Sequence, residues 1–128
     1  MLIAQITDIH LGFDPDNPAE FNRKRLDQAI RTICAMTPQP DLLLATGDLV
    51  DRGDLESYRR LENALSVVPF PVHMCLGNHD LRAPFRKQFA DVPAPDGFIQ
   101  YEVDTPALRL LILDTLEEGR HGGAFCET

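Results

Sequence analysis

The sequence is poor in cysteine, contains no tryptophan and has no long apolar run. Its three cysteines, Cys34, Cys75 and Cys126, form neither a CxxC pair nor another zinc-like spacing. A sparse, odd set is typical of a reducing compartment, so we expect a cytoplasmic protein. The apolar runs are much shorter than the ~20 residues of a membrane span. The segment 1–5 has no basic stretch and is followed by Asp8, which favours a first strand over a signal peptide.

Basic residues are also scarce. Twelve Lys and Arg face 20 Asp and Glu, which gives a net charge of −8 and a pI of about 4.8. This balance argues against a membrane-surface or extended nucleic-acid interface, because both need clustered Lys and Arg. An anionic substrate would need a local source of attraction, such as bound cations. The length of 128 residues, 44% of them hydrophobic, predicts one domain over residues 1–128.

Two kinds of apolar pattern alternate along the chain. Continuous runs bounded by breakers predict strands, and apolar residues at helical spacing predict helices. Two later strands flank a turn at 105–107 and predict a β-hairpin. The order β-α-β-α-β followed by a hairpin predicts an α/β fold with a parallel sheet. The predicted elements are strands at 2–6, 41–46, 70–76, 98–104 and 108–114, and helices at 20–36, from about 55 to 65, and 81–89.

Polar clusters follow the first three predicted strands. They are residues 8–10 (DIH), 47–53 (GDLVDRG) and 77–80 (GNHD). Because ligands bind beyond the carboxyl ends of parallel strands, we expect the three clusters to converge on one rim of the sheet. Carboxylates, imidazoles and an amide oxygen suit Mn, Fe or Zn better than copper. Gly47 and Gly77 would let the backbone bend where the strands end.

The three blocks, in this order and spacing, resemble the calcineurin-like metallophosphoesterase superfamily. The family pattern is D-x-H, then G-D-x-x-D-x-G, then G-N-H-[DE], and the sequence contains all three blocks intact. The opening block and the overall spacing are most similar to the class III cyclic-nucleotide and glycerophosphodiester phosphodiesterases. The resemblance implies a four-layer α/β/β/α sandwich, of which this chain would hold the N-terminal half.

The resemblance also implies a site with two divalent metal ions, Mn, Fe or Zn. By position, Asp8 and His10 would bind the first metal, Asp48 would bridge both metals, and Asn78 would bind the second. The implied reaction is hydrolysis of a phosphoester, most simply a cyclic nucleotide or small phosphodiester, by a metal-bound hydroxide. Protein phosphoserine or phosphothreonine, a nucleic-acid end and a lipid-linked diphosphate remain as alternative substrates.

Further roles follow from the same resemblance. His79, with Asn78, would face the substrate, and His79 would stabilise the phosphoryl oxygens or protonate the leaving alkoxide. Asp51 and Asp80 would orient the backbone and the imidazole from behind the ligands.

The sequence departs from the family pattern in its histidines. It contains only His10, His73, His79 and His121, and it lacks the later Gly-His-x-His block that completes both metal sites. The second metal site is therefore expected to be incomplete. This leaves a second hypothesis, an inactive metal-binding half-domain that acts by pairing with another chain, for example as a homo-oligomer. We expect His121 to be a solvated loop histidine.

Overall fold

Three parallel strands form the central sheet in the computed structural model, which describes residues 1–125. They are β1 (Ile3–Ile6), β2 (Leu42–Thr46) and β3 (Val72–Cys75), with β2 in the middle. The central strand is the most apolar, as its run of leucines predicts, and Leu43 and Ala45 are fully buried. Cys126, the third cysteine, lies outside the described residues.

Three helices cover this sheet or follow it. They are α1 (Phe21–Cys34), α2 (Leu55–Leu65) and α3 (Arg82–Gln88). The side chain of Asp54 accepts a hydrogen bond from the Ser57 amide at 3.0 Å, which caps the start of α2. Among residues 1–125, no helix combines the length and the apolar character that crossing a bilayer requires.

The first helix is shorter than predicted at both ends. Glu20 stays outside it because its buried carboxylate turns back and accepts a hydrogen bond from the Gly12 amide at 2.8 Å. At the other end, Ala35 caps the helix, so Met36 is not helical. Leu26 and Ile30, which lie at helical spacing, are buried and form its inner face.

The last two strands form a separate antiparallel hairpin. They are β4 (Tyr101–Asp104) and β5 (Arg109–Ile112). The Tyr101 hydroxyl ties the hairpin to β3, because it accepts from the Met74 amide and donates to the Met74 carbonyl, each at 3.0 Å. The observed order β-α-β-α-β plus hairpin confirms the α/β class. Because β1, β2 and β3 are parallel, the three loops that follow them begin at the same edge of the sheet.

Candidate metal centre

The loops that follow β1 and β2 run side by side at the carboxyl edge of the sheet. The Asp8 amide donates to the Gly47 carbonyl at 3.2 Å, and the His10 amide donates to the Asp48 carbonyl at 2.9 Å. The pairing continues as far as Leu11. Parallel pairing therefore extends beyond the strands themselves and sets the first two polar blocks against each other.

The loop after β3 joins them from the other side of β2. The Gly47 amide donates to the Cys75 carbonyl, and the His79 amide donates to Oδ1 of Asp48, both at 3.0 Å. Gly47 has a φ of +88°, as expected of a glycine at a sharp bend. Gly77 has a different function, because a Cβ there would lie 2.3 Å from the Asp48 amide nitrogen. Its missing side chain is what allows the two loops to approach.

Strained backbone coincides with the polar blocks. Asp8, His10 and Asp48 have φ values of 54°, 50° and 47°, in the left-handed region that non-glycine residues seldom adopt. Such conformations each cost on the order of 1–3 kcal/mol, and they persist where the surrounding structure enforces them. Here the inter-loop hydrogen bonds enforce them, and the side chains are thereby turned toward a shared volume.

Three side chains offer ligand atoms to that volume. Atoms of His10, Asp48 and His79 lie within 4.8 Å of one another. Nε2 of His10 is 3.6 Å from Oδ2 of Asp48 and 3.9 Å from Oδ1 of Asp8. The two imidazole rings meet edge to face, with centroids 4.6 Å apart. The first metal group predicted from sequence, Asp8, His10 and Asp48, is thus contiguous, and His79 adjoins it.

Asp51 forms hydrogen bonds to the Nδ1 atoms of both imidazoles. Its Oδ1 lies 3.2 Å from Nδ1 of His10, and its backbone carbonyl accepts from Nδ1 of His79 at 2.8 Å. These bonds leave Nε2 of each ring free. The hydrogen bond to the Asp51 carbonyl raises the pKa of His79, burial opposes this effect, and the carboxylates of Asp48, Asp51 and Asp80 add to it.

Asp80 is fully buried and connects the second and third loops. It accepts hydrogen bonds from the amides of Leu49, Val50 and Gly77 at 3.1, 3.2 and 2.8 Å, and from the Tyr58 hydroxyl at 3.0 Å. Burial raises the pKa of Asp80, and these hydrogen bonds only partly oppose that effect. Sequence reasoning missed Tyr58, because its helical spacing indicated only a core position.

Asn78 lies on the same loop as His79, but its side chain meets a distant part of the chain. Its amide nitrogen is 3.4 Å from Nδ1 of His121. His121 is an exposed loop residue, as expected. In addition, it lies against the loop that follows β3. No local pattern indicates a contact that spans 43 residues.

The donor set fits a divalent cation. With Nδ1 of His10 hydrogen-bonded to Asp51, the lone pair of the neutral ring is on Nε2, beside carboxylate oxygens of Asp8 and Asp48. A cation between these electron-rich atoms would offset their mutual repulsion. A carboxylate that supports the far nitrogen of a ligating histidine is also the usual arrangement at metal sites. Mixed nitrogen and oxygen donors accommodate Mn, Fe or Zn.

Comparison with known proteins agrees with this geometry. The family model for calcineurin-like phosphoesterases matches residues 1–121. A probable cyclic nucleotide phosphodiesterase of Rhodopseudomonas palustris is 32% identical over 99% of this chain and 48% of its own length. A probable glycerophosphodiester phosphodiesterase of Arcobacter nitrofigilis is 25% identical over 99% of this chain and 48% of its own length. A 3',5'-cyclic adenosine monophosphate phosphodiesterase of Pseudomonas aeruginosa is 29% identical over 90% of this chain and 42% of its own length.

The chain spans about half the length of these curated relatives. The family match nevertheless covers nearly all of its residues, including the three polar blocks at the edge of the sheet. The chain belongs to the calcineurin-like phosphoesterase family.

Proposed function

We propose that this chain carries the metal-binding part of a phosphodiesterase that hydrolyses cyclic nucleotides or other small phosphodiesters. The observation that supports this most strongly is the approach of His10, Asp48 and His79 to within 4.8 Å, from three separate loops. The names of the relatives from Rhodopseudomonas palustris and Pseudomonas aeruginosa favour a cyclic nucleotide as substrate.

In this proposal Asp8, His10 and Asp48 hold a first divalent ion, and Asp48 and Asn78 contribute to a second. A bound divalent ion would lower the pKa of a coordinated water toward ~7 and offset the negative charge of the phosphoryl group. Attraction by cations matters here because the chain carries a net charge of −8. Asp51 keeps Nε2 of His10 available by hydrogen bonding to Nδ1.

His79 is proposed to act on the substrate. Its Nδ1 is committed to the Asp51 carbonyl, so Nε2 is the nitrogen that can reach a ligand. Without a bound metal ion, the hydrogen bond to the Asp51 carbonyl raises the pKa of His79. A protonated Nε2 can donate to a phosphoryl oxygen, or give its proton to the alkoxide oxygen as the ester bond breaks.

The test is hydrolysis of bis(p-nitrophenyl) phosphate by the Mn²⁺-loaded chain and its Asp48→Ala variant. Asp104→Ala is the matched control, since Asp104 is an exposed carboxylate on the hairpin, remote from the three loops. We expect Asp48→Ala to lower turnover by at least about a hundredfold, because loss of a direct ligand should exceed the 10–100-fold effect of losing a supporting residue. The control should match the wild type. Absence of turnover in the metal-loaded wild type, or equal rates in all three proteins, would contradict the proposal.

A further inference from the structure

The segment from Thr115 to Ala124 is fixed at its start by a buried ion pair. Nε and Nη2 of Arg82 donate to the two carboxylate oxygens of Asp114, each at 2.8 Å, and Asp114 is only 3% exposed. Asp114 also accepts from the Leu116 amide at 3.0 Å, and Arg82 donates to the Leu116 carbonyl. Because Leu116 is itself buried, the loop leaves the hairpin from a rigid base.

The loop also closes on itself. The Ala124 amide donates to the Thr115 carbonyl at 2.9 Å, and Leu116 and Gly123 form an antiparallel bridge. A Cβ at Gly123 would lie 2.7 Å from the Thr115 carbonyl oxygen, so this return requires glycine. The side chain of Glu118 accepts from the Arg82 amide at 2.9 Å. The tip, residues 119–122, therefore has a defined position.

Residues 119–121 of the tip form one wall of a cleft with a volume of about 300 Å³. This volume is at the lower end of small-molecule sites, which span roughly 300–1,000 Å³. The tip also contacts the site directly, through the 3.4 Å approach of His121 to Asn78. The polar residues that line the cleft are Asp51, Arg52, Asn78, His79, Asp80, Arg120 and His121.

The position of His121 suits a substrate contact better than a metal contact. Within residues 1–125, the His, Cys, Asp and Glu ligand atoms that lie within 4.8 Å of one another are those of His10, Asp48 and His79. His121 lies outside this group, and its ring contacts the Asn78 side chain instead. Its ring is exposed and can donate or accept a hydrogen bond with its second nitrogen. With the phosphoryl group beside His79, a substituent on phosphorus would extend into the same cleft, toward His121.

We propose that His121 is a specificity-determining residue, which contacts the organic substituent of the phosphodiester, a polar group of nucleoside type. This inference rests on the proposed function and adds to it a wall of the cleft formed by the loop after the hairpin. Arg120, also on the cleft, keeps its Nη1 3.0 Å from Glu117, whereas His121 is the tip side chain that contacts Asn78.

The test compares a ligand that has a nucleoside substituent with one that has none. Dissociation constants of AMP and of inorganic phosphate are measured by calorimetry on the Mn²⁺-loaded wild type, His121→Ala and Gly122→Ala. The last is a control for changes in the loop itself, since nothing lies within 4 Å of a Cβ at Gly122. We expect His121→Ala to weaken AMP binding about five- to tenfold, the value of one hydrogen bond. Phosphate and Mn²⁺ affinities should stay within about twofold, and Gly122→Ala should behave as the wild type.

Several outcomes would overturn the inference. An unchanged ratio of AMP to phosphate affinity in His121→Ala means that the residue does not touch the substituent. A loss of Mn²⁺ affinity in that variant means that His121 instead orients Asn78. Binding of neither ligand by the wild type also refutes it. Failure of the proposed function is distinct, because it appears in the hydrolysis assay, either as absence of turnover or as rates that are unaffected by Asp48→Ala.

Discussion

At the scale of single residues, Asp51 and Gly77 matter through what they do to their neighbours. Asp51 holds one imidazole with its carboxylate and the other with its backbone carbonyl. Gly77 gives the Asp48 amide and carboxylate the space that a Cβ would occupy. Neither residue needs to touch a substrate, and both decide where the ligand atoms lie.

Removing the Asp51 carboxylate should weaken metal binding. Asp51→Ala frees Nδ1 of His10, so that the ring can rotate or change tautomer. We expect Mn²⁺ affinity, measured by calorimetry, to fall about 10- to 100-fold. Asp27→Ala removes a carboxylate that pairs with Arg23 on α1, 2.9 Å away, and should leave the affinity unchanged. Equal affinities in the two variants would disprove this role of Asp51.

Adding a methyl group at Gly77 should destabilise the fold. In Gly77→Ala the new Cβ would clash with backbone and side-chain atoms of Asp48, 2.3 Å away, so the two loops must separate. The free energy of unfolding in urea should fall by about 1–3 kcal/mol, as for other overpacked sites. Gly122→Ala, where the Cβ meets open space, should change it by less than about 0.5 kcal/mol. Similar values for the two variants would be inconsistent with the close approach of the loops.

At the scale of elements, α2 supports the site through one hydroxyl group. Tyr58 donates to Asp80 and accepts from the Leu81 amide at 3.1 Å, and its ring is fully buried. The helix is thereby connected to the carboxylate that joins the second and third loops.

The chain's two tyrosines allow a matched test of this connection. Tyr58→Phe and Tyr101→Phe each remove a hydroxyl that bonds to backbone, and each should lower the free energy of unfolding by about 1–3 kcal/mol. Only Tyr58→Phe should also lower Mn²⁺ affinity, because Tyr101 bonds to Met74 in β3, away from the loops. An equal effect of both variants on metal affinity would show that α2 contributes stability alone.

The pair that links α3 to the loop after the hairpin should make stability depend on pH. Burial alone would raise the pKa of Asp114, but hydrogen bonds from Arg82, Ile99 and Leu116 outweigh it and hold the pKa below 3.8. The ionised carboxylate therefore stabilises the folded state above pH ~4, and this contribution is lost as the pH falls through the lowered pKa.

The measurement is urea unfolding of the wild type and Asp114→Asn between pH 7 and pH 3. At pH 7 the variant should be less stable by about 3 kcal/mol, the cost of breaking a buried pair. The difference should shrink below pH ~4, where Asp114 of the unfolded wild-type chain takes up a proton before that of the folded chain does. A difference in stability that is independent of pH would show that the pKa of Asp114 is not lowered in the folded state.

The order of elements and the convergence of the three polar blocks could be predicted, because strand periodicity and strand-end position are local properties of the sequence. Other features depend on residues far apart in the chain. The hydroxyl of Tyr58, the burial of Asp114 and the reach of His121 to Asn78 have no local signature. Gly77 was expected to serve a bend, whereas the structure reveals a close approach that only three-dimensional packing creates.

At the scale of the whole molecule, an acidic chain presents a cluster of side chains that fits a divalent cation. The net charge of −8 would repel a phosphodiester, so the proposed activity depends on bound metal. On the hairpin, the apolar side chains of Leu111 and Leu113 are 63% and 49% exposed, and another chain could cover them. Pairing with another chain stays a prediction. The chain covers about half of each curated relative from Rhodopseudomonas palustris and Arcobacter nitrofigilis.

The measurement that tests the central claim most directly is Mn²⁺ binding to the chain and its Asp48→Ala variant, by calorimetry with elemental analysis as a check. The structure predicts saturable binding by the wild type and its loss in the variant, because Asp48 faces both His10 and the loop that carries His79. Asp104→Ala should bind as the wild type does. No binding by the wild type, or equal binding by Asp48→Ala, would mean that the three loops do not form a metal site.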